Sequence, residues 1–168
     1  MDMVVEDSRK IVYDQSYSTL KEAVKAAAVN VYAHSDAYEY AGVILYDEKG
    51  KLRVSVPFTA WSGDHSPMLI DPTAYKHMTI VALYHSHPCV PNHQPWKFSV
   101  PDIATAMYVG VPAFIVDFCR GGIYEYEPGV DRAPADGELT YQGRVVGSIH
   151  LYKPIQNLVS EQEFLNGD

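Results

Sequence analysis

The spacing of hydrophobic positions changes along the chain, and each change marks an element. Over residues 19–31, Leu20, Val24, Ala27, Ala28 and Val31 recur at helical spacing. Thr19-Leu20-Lys21-Glu22 reads as a capping box, and Ala23, Ala26, Ala27 and Ala28 raise the helix propensity. Residues 38–46 read as a strand, Asp47-Glu48-Lys49-Gly50 as a turn, and residues 52–58 as the returning strand of a hairpin. Residues 59–77 are rich in Ser, Gly, Asp, Pro and His, and predict a loop or short helical turns. Residues 78–87, with Ile80-Val81-Ala82-Leu83-Tyr84 at their centre, predict a strong strand.

The second half repeats the alternation. Pro88, Pro91 and Pro95 make residues 88–98 a loop. Ser99-Val100-Pro101-Asp102 opens a second helix, which runs from Ile103 to about Val109. Residues 113–118 form a short buried strand, Gly121-Gly122 a turn, and residues 123–127 its partner. Residues 128–137 are Pro/Asp/Gly-rich loop, and residues 138–152 predict a further hairpin around Gln142-Gly143. Residues 1–17 read as an N-terminal arm, loose or an edge strand. Residues 154–168 read as a C-terminal tail, a short helix followed by disorder. The expectation is an α/β (α+β) fold, a mixed β-sheet flanked by helices, with one domain over residues 18–153.

Composition narrows the function. The 168 residues suit one domain, and 47% hydrophobic with 20% charged residues is ordinary globular usage. The net charge of −8 disfavours nucleic acid and anionic membranes as partners. The first residues, Met1-Asp2-Met3-Val4-Val5-Glu6-Asp7, carry no basic segment followed by an apolar one, so no secretory signal is expected. Cys89 and Cys119 do not make a disulfide framework. Cytoplasmic location is therefore the default, with export by a non-classical route left open. Thirteen tyrosines fit half-buried strands and a protein partner.

The chemistry concentrates in Tyr84-His85-Ser86-His87-Pro88 and Ser99-Val100-Pro101-Asp102. Side chains alternate along a strand, so His85 and His87 share a face and can reach one metal ion. Asp102, in the first turn of the next helix, can return beside them. Two His and one Asp give the three protein ligands of a catalytic zinc site. The competing reading of Ser99-x-x-Asp102 is an ordinary helix cap. Glu39 is the candidate base, on the strand face of Ala41, Val43 and Leu45, with Gly42 allowing close backbone approach. Its competing reading is a strand-end carboxylate in solvent.

Glu39-Tyr40-Ala41-Gly42, His85-Ser86-His87-Pro88 and Ser99-Val100-Pro101-Asp102 together resemble the JAMM motif of JAB/MPN-domain metalloproteases. The resemblance covers the framework from Thr19 to about Glu127. The Asp47 to Gly50 turn and the late Gly-Gly-Ile-Tyr-Glu-Tyr hairpin are most similar to a bacterial JAB-like family often attached to polymorphic toxins and secreted effectors. The resemblance implies a JAB/MPN, cytidine-deaminase-like architecture. It also implies Zn2+ held by His85, His87 and Asp102, Glu39 as general acid/base, and Ser99 donating a hydrogen bond to the developing oxyanion. The implied reaction is hydrolysis of a peptide or isopeptide bond in a protein or peptide substrate.

One departure is the spacer of ten residues from Cys89 to Phe98, longer than in the commonest form of the motif. It carries Cys89, His93 and Trp96. These read as a small buried residue, an exposed residue and a loop-packing residue, or else Cys89 or His93 supplies a fourth ligand that closes the site. His65 and His77 are candidates to line the cleft, while His34 and His150 read as structural or exposed. Two alternatives to the hydrolase stand open: a non-catalytic binding or scaffold domain, and an effector or toxin domain acting on a non-peptide substrate.

Overall fold

Alternation along the strands divides the apolar residues between two faces of one sheet. Ile44, Ala82, Tyr84, Phe114, Val116 and Ile123 face one way, and Val43, Leu45, Leu83, Ala113, Ile115 and Tyr124 face the other. Each face needs a cover, and the two helices supply it. The computed structural model describes residues 12–34, 38–58, 75–90 and 93–151. In chain order the elements are β1 (Val12–Tyr17), α1 (Leu20–His34), β2 (Ala41–Tyr46), β3 (Leu52–Ser55), β4 (Thr79–His87), β5 (Lys97–Ser99), α2 (Val100–Val109), β6 (Ala113–Asp117), β7 (Gly122–Tyr126), β8 (Thr140–Gln142) and β9 (Arg144–Ser148). The fold is a mixed α+β sandwich.

Seven strands form the main sheet in the order β1-β3-β2-β4-β6-β7-β9, and β5 pairs with β8 in a separate ribbon. The pairing β4–β6 is parallel, and α2 lies in the connection between those strands. The other neighbours in both sheets are antiparallel. Helix α1 buries Ala23, Val24, Ala27, Ala28, Val31 and Tyr32 on the first face. Its small residues let the helix lie close to the sheet, and each fully buried Val there contributes about 1.5–3 kcal/mol. On the second face Ile103 and Ala106 of α2 pack with Phe98, Tyr126 and Tyr141.

Several boundaries differ from the pattern reading. The last six residues of the expected N-terminal arm are β1, an edge strand that pairs with β3 and buries Val12 and Tyr13. Strand β2 begins at Ala41, two residues beyond Glu39. Phe58 returns to exchange both backbone hydrogen bonds with Ala41, so the hairpin extends past β3. Lys97 and Phe98, expected as loop, form a strand with Ser99, the residue expected to open the second helix. The predicted hairpin around Gln142-Gly143 is replaced by two strands that part company, β8 pairing with β5 and β9 with β7. Gly143 makes the parting possible. A Cβ there would stand 2.5 Å from the Phe98 ring and 2.8 Å from the Glu125 carbonyl oxygen. The loop helices or turns expected over residues 59–74, the tail over 152–168 and the first eleven residues lie outside the described residues.

Candidate metal centre

Strand β4 lies at the middle of the main sheet, flanked by β2 and β6, and ends in His85-Ser86-His87. His85 stands opposite Ala41 and His87 opposite Asp117. Period two points both imidazoles to the face that α2 covers. Ser86 between them is buried on the other side, where its Oγ accepts the Tyr40 N–H at 3.0 Å. The Ser86 N–H in turn donates to the Tyr40 carbonyl at 2.8 Å. The residue after Glu39 is thus clamped to the residue between the two histidines. Gly42 deepens the contact, since a Cβ there would fall 2.5 Å from the Tyr84 hydroxyl oxygen and 2.7 Å from Ser55 Oγ.

Asp102 reaches the histidines from the start of α2. Ser99 caps this helix: its Oγ accepts the Asp102 N–H at 3.2 Å, and Asp102 Oδ2 accepts the Ser99 N–H at 2.8 Å. The capping role, an alternative in the sequence, leaves the Asp102 carboxylate facing the histidines and does not exclude a ligand role. Asp102 Oδ1 lies 3.3 Å from His85 Nε2, and Oδ2 lies 3.6 Å from His87 Nε2. The two Nε2 atoms are 2.8 Å apart. Donors about 2.0–2.1 Å from a tetrahedral zinc stand roughly 3.3 Å from one another. These separations bracket that value, so the donor set fits one such ion.

Glu39, buried to 9% exposure, brings a carboxylate oxygen to the same place. It and the two Nε2-bearing rings offer ligand atoms that all lie within 4.8 Å of one another, a group that could hold a metal ion. The site therefore gathers His85, His87, Asp102 and Glu39 from three parts of the chain.

Tautomers follow from the partners. His87 Nδ1 lies 3.0 Å from the Pro95 carbonyl oxygen, which only accepts, so Nδ1 carries the proton. That tautomer turns the Nε2 lone pair toward the site. His85 Nε2, 2.8 Å away, is the donor in that pair. Burial opposes charge on His85, but the Asp102 carboxylate, its hydrogen bond and Glu39 outweigh it and raise the pKa to about 9. Burial likewise opposes charge on Asp102, yet the charge and hydrogen bond of His85 hold its carboxyl well below the usual range. The two shifts, opposite in sign, favour a charged pairing of His85 with Asp102.

The loop after His87 is fastened twice. Cys89 and Cys119 form a disulfide, each sulfur lying two residues beyond the paired positions His87 and Asp117 on adjacent parallel strands. Cys89 is therefore buried and bonded to sulfur, which removes the reading of Cys89 as a fourth ligand in this state. Next to the bridge, the Arg120 guanidinium lies 4.0 Å over the Trp96 ring. It is tied to Asp117, a fully buried carboxylate that also accepts the Cys119 and Arg120 N–H groups. Sequence reasoning missed the pairing and missed Asp117. The signal was the matched offset of the two cysteines from two adjacent strand ends.

The other candidates fall elsewhere. His93, His77 and His150 are exposed, and His77 adopts a left-handed backbone at φ 67° before β4. His65 and the His34 side chain lie outside the described residues. Among the described residues no helix is long and apolar enough to cross a membrane. Comparison with family models, with curated proteins and with solved structures found no match.

Proposed function

We propose that the protein is a zinc-dependent hydrolase of the JAMM type, built on a JAB/MPN-like core, which cleaves peptide or isopeptide bonds. One observation carries the reading: His85, His87 and Asp102 converge from β4 and α2 with a second buried carboxylate, Glu39, beside them. A structural zinc site needs no such extra carboxylate, whereas hydrolysis needs a proton acceptor. Neutral imidazoles and carboxylates suit zinc among the common divalent ions.

His85, His87 and Asp102 would hold the ion. A bound zinc supplies Lewis acidity that polarises a carbonyl and brings the pKa of a water toward about 7. Glu39 takes a proton from the attacking water and returns it to the leaving amine nitrogen. Ser99, whose oxygen already accepts one N–H, keeps its hydroxyl proton to donate to the developing oxyanion. Burial of Glu39 and Asp102 and partial burial of His85 and His87 strengthen these interactions relative to water.

The test is a panel of fluorogenic peptide and isopeptide substrates, assayed with the zinc-loaded protein and with Glu39→Gln beside it. Cleavage by the parent, reduced by about 10²–10⁴-fold in the variant, supports the reading. A zinc-loaded parent that cleaves nothing, while a protein or peptide ligand binds near Ser99, favours the non-catalytic binding domain instead.

A further inference from the structure

We infer that the Cys89–Cys119 disulfide is a redox-controlled brace on the metal centre: while it is closed the site binds metal tightly, and reducing it weakens that binding. The inference rests on the metal-centre reading above. Its ground is the path from the bridge to His87. Phe118 N–H donates to the His87 carbonyl at 3.1 Å, extending the parallel ladder up to the bridge. The bridge fixes residue 89 to residue 119 with a Cα separation of 4.9 Å. Six residues beyond Cys89, the Pro95 carbonyl accepts the His87 Nδ1–H at 3.0 Å. That hydrogen bond sets both the ring's orientation and the tautomer that turns Nε2 toward the ion. The loop carrying Pro95 is held at its near end by the disulfide. At its far end it is held by Trp96 under Arg120, whose neighbour is Cys119. Both anchors therefore depend on the segment from Asp117 to Arg120.

The two cysteine residues differ in exposure. Cys89 is buried, while Cys119 is partly exposed, which makes Cys119 Sγ the point of attack. A thiolate of a dithiol reductant bonds to Cys119 Sγ as the Cys89–Cys119 bond breaks, and Cys89 leaves as a thiolate that takes a proton from water. The reductant's second thiol then displaces Cys119, which is released as a thiol. The reductant ends as a disulfide, and two electrons have passed to the protein. The change frees the near anchor of the loop without altering a ligand.

Zinc affinity is measured by competition with a chromophoric chelator for the oxidised protein, for the protein reduced with a phosphine that is then removed under anaerobic conditions, and for Cys89→Ser/Cys119→Ser. Thiol counting and circular dichroism on each sample verify bridge state and folding. A further sample, oxidised Trp96→Ala, loosens the loop without touching the sulfurs. Affinity is expected to fall about 10-fold or more on reduction and in the serine variant. Trp96→Ala should lower it in the same direction. Equal affinity in the oxidised and reduced folded protein overturns the brace. So does a count of two free thiols in protein purified and kept under air, with the metal site left standing. An oxidised protein that takes up no zinc overturns the brace together with the metal-centre reading, and that result is distinguishable from the other two.

Discussion

Asp102 illustrates how much one side chain is asked to do. It caps α2 through Oδ2 and faces His85 through Oδ1, so one carboxylate fixes the helix start and supplies the third proposed ligand. The metal-free pairing has a pH signature. His85 has its pKa raised to about 9 from an ordinary value near 6.5, so its contribution to stability is complete below about pH 6.5 and is lost as pH rises through 9. Asp102 is held low, so its contribution is present above about pH 4 and is lost in acid. The metal-free protein should be most stable between those limits. Zinc must displace the His85 proton, so its apparent affinity should climb with pH up to about 9. Titration calorimetry in buffers of different ionisation enthalpy should record close to one proton released per zinc at pH 7. Uptake without proton release would contradict the protonated His85. For Glu39, Glu39→Gln should retain metal while losing hydrolysis. Loss of metal in that variant would make Glu39 a ligand instead of the base.

At the scale of elements, the site depends on how closely β2 lies against β4. Ser86 and Gly42 set that distance, one by a buried hydrogen bond to Tyr40 and the other by lacking a Cβ against Tyr84 and Ser55. Ser86→Ala leaves the buried Tyr40 N–H without its acceptor and should cost about 1–3 kcal/mol in urea unfolding. Gly42→Ala should cost about 1–3 kcal/mol by overpacking, and should also weaken zinc binding because Ala41 stands opposite His85. Unchanged unfolding midpoints in both would remove the clamp. The elements near the site were legible because their signals are local: alternation for β4, the Ser99-to-Asp102 box for α2, the helical period for α1. What the pattern missed was non-local. Thr140–Gln142 pairs with Lys97–Ser99 from more than forty residues away, a choice set by the Phe98, Tyr126 and Tyr141 rings packing together, with Phe98 against Gly143, and invisible to any window of sequence.

For the whole molecule, a parallel step in an otherwise antiparallel sheet brings the chemistry together. The β4–α2–β6 crossover places Asp102 over the end of β4 and sets Cys119 beside Cys89. The cluster of residues proposed as ligands was readable from their types and spacing, since two imidazoles at alternate positions and a capping Asp are marked in the chain. The brace was not, because the sequence places Cys89 and Cys119 thirty residues apart and only the parallel register makes them neighbours. Their pairing also removes one support from the expectation of a cytoplasmic location, since such bridges persist chiefly in oxidising compartments. The central claim is that His85, His87 and Asp102 make one metal centre, and elemental analysis of the untagged protein tests it most directly, with His85→Ala/His87→Ala beside it. The account predicts about one zinc per chain in the parent and none in the folded variant. A parent that holds no metal after zinc is added back, or a variant that holds as much as the parent, would contradict it.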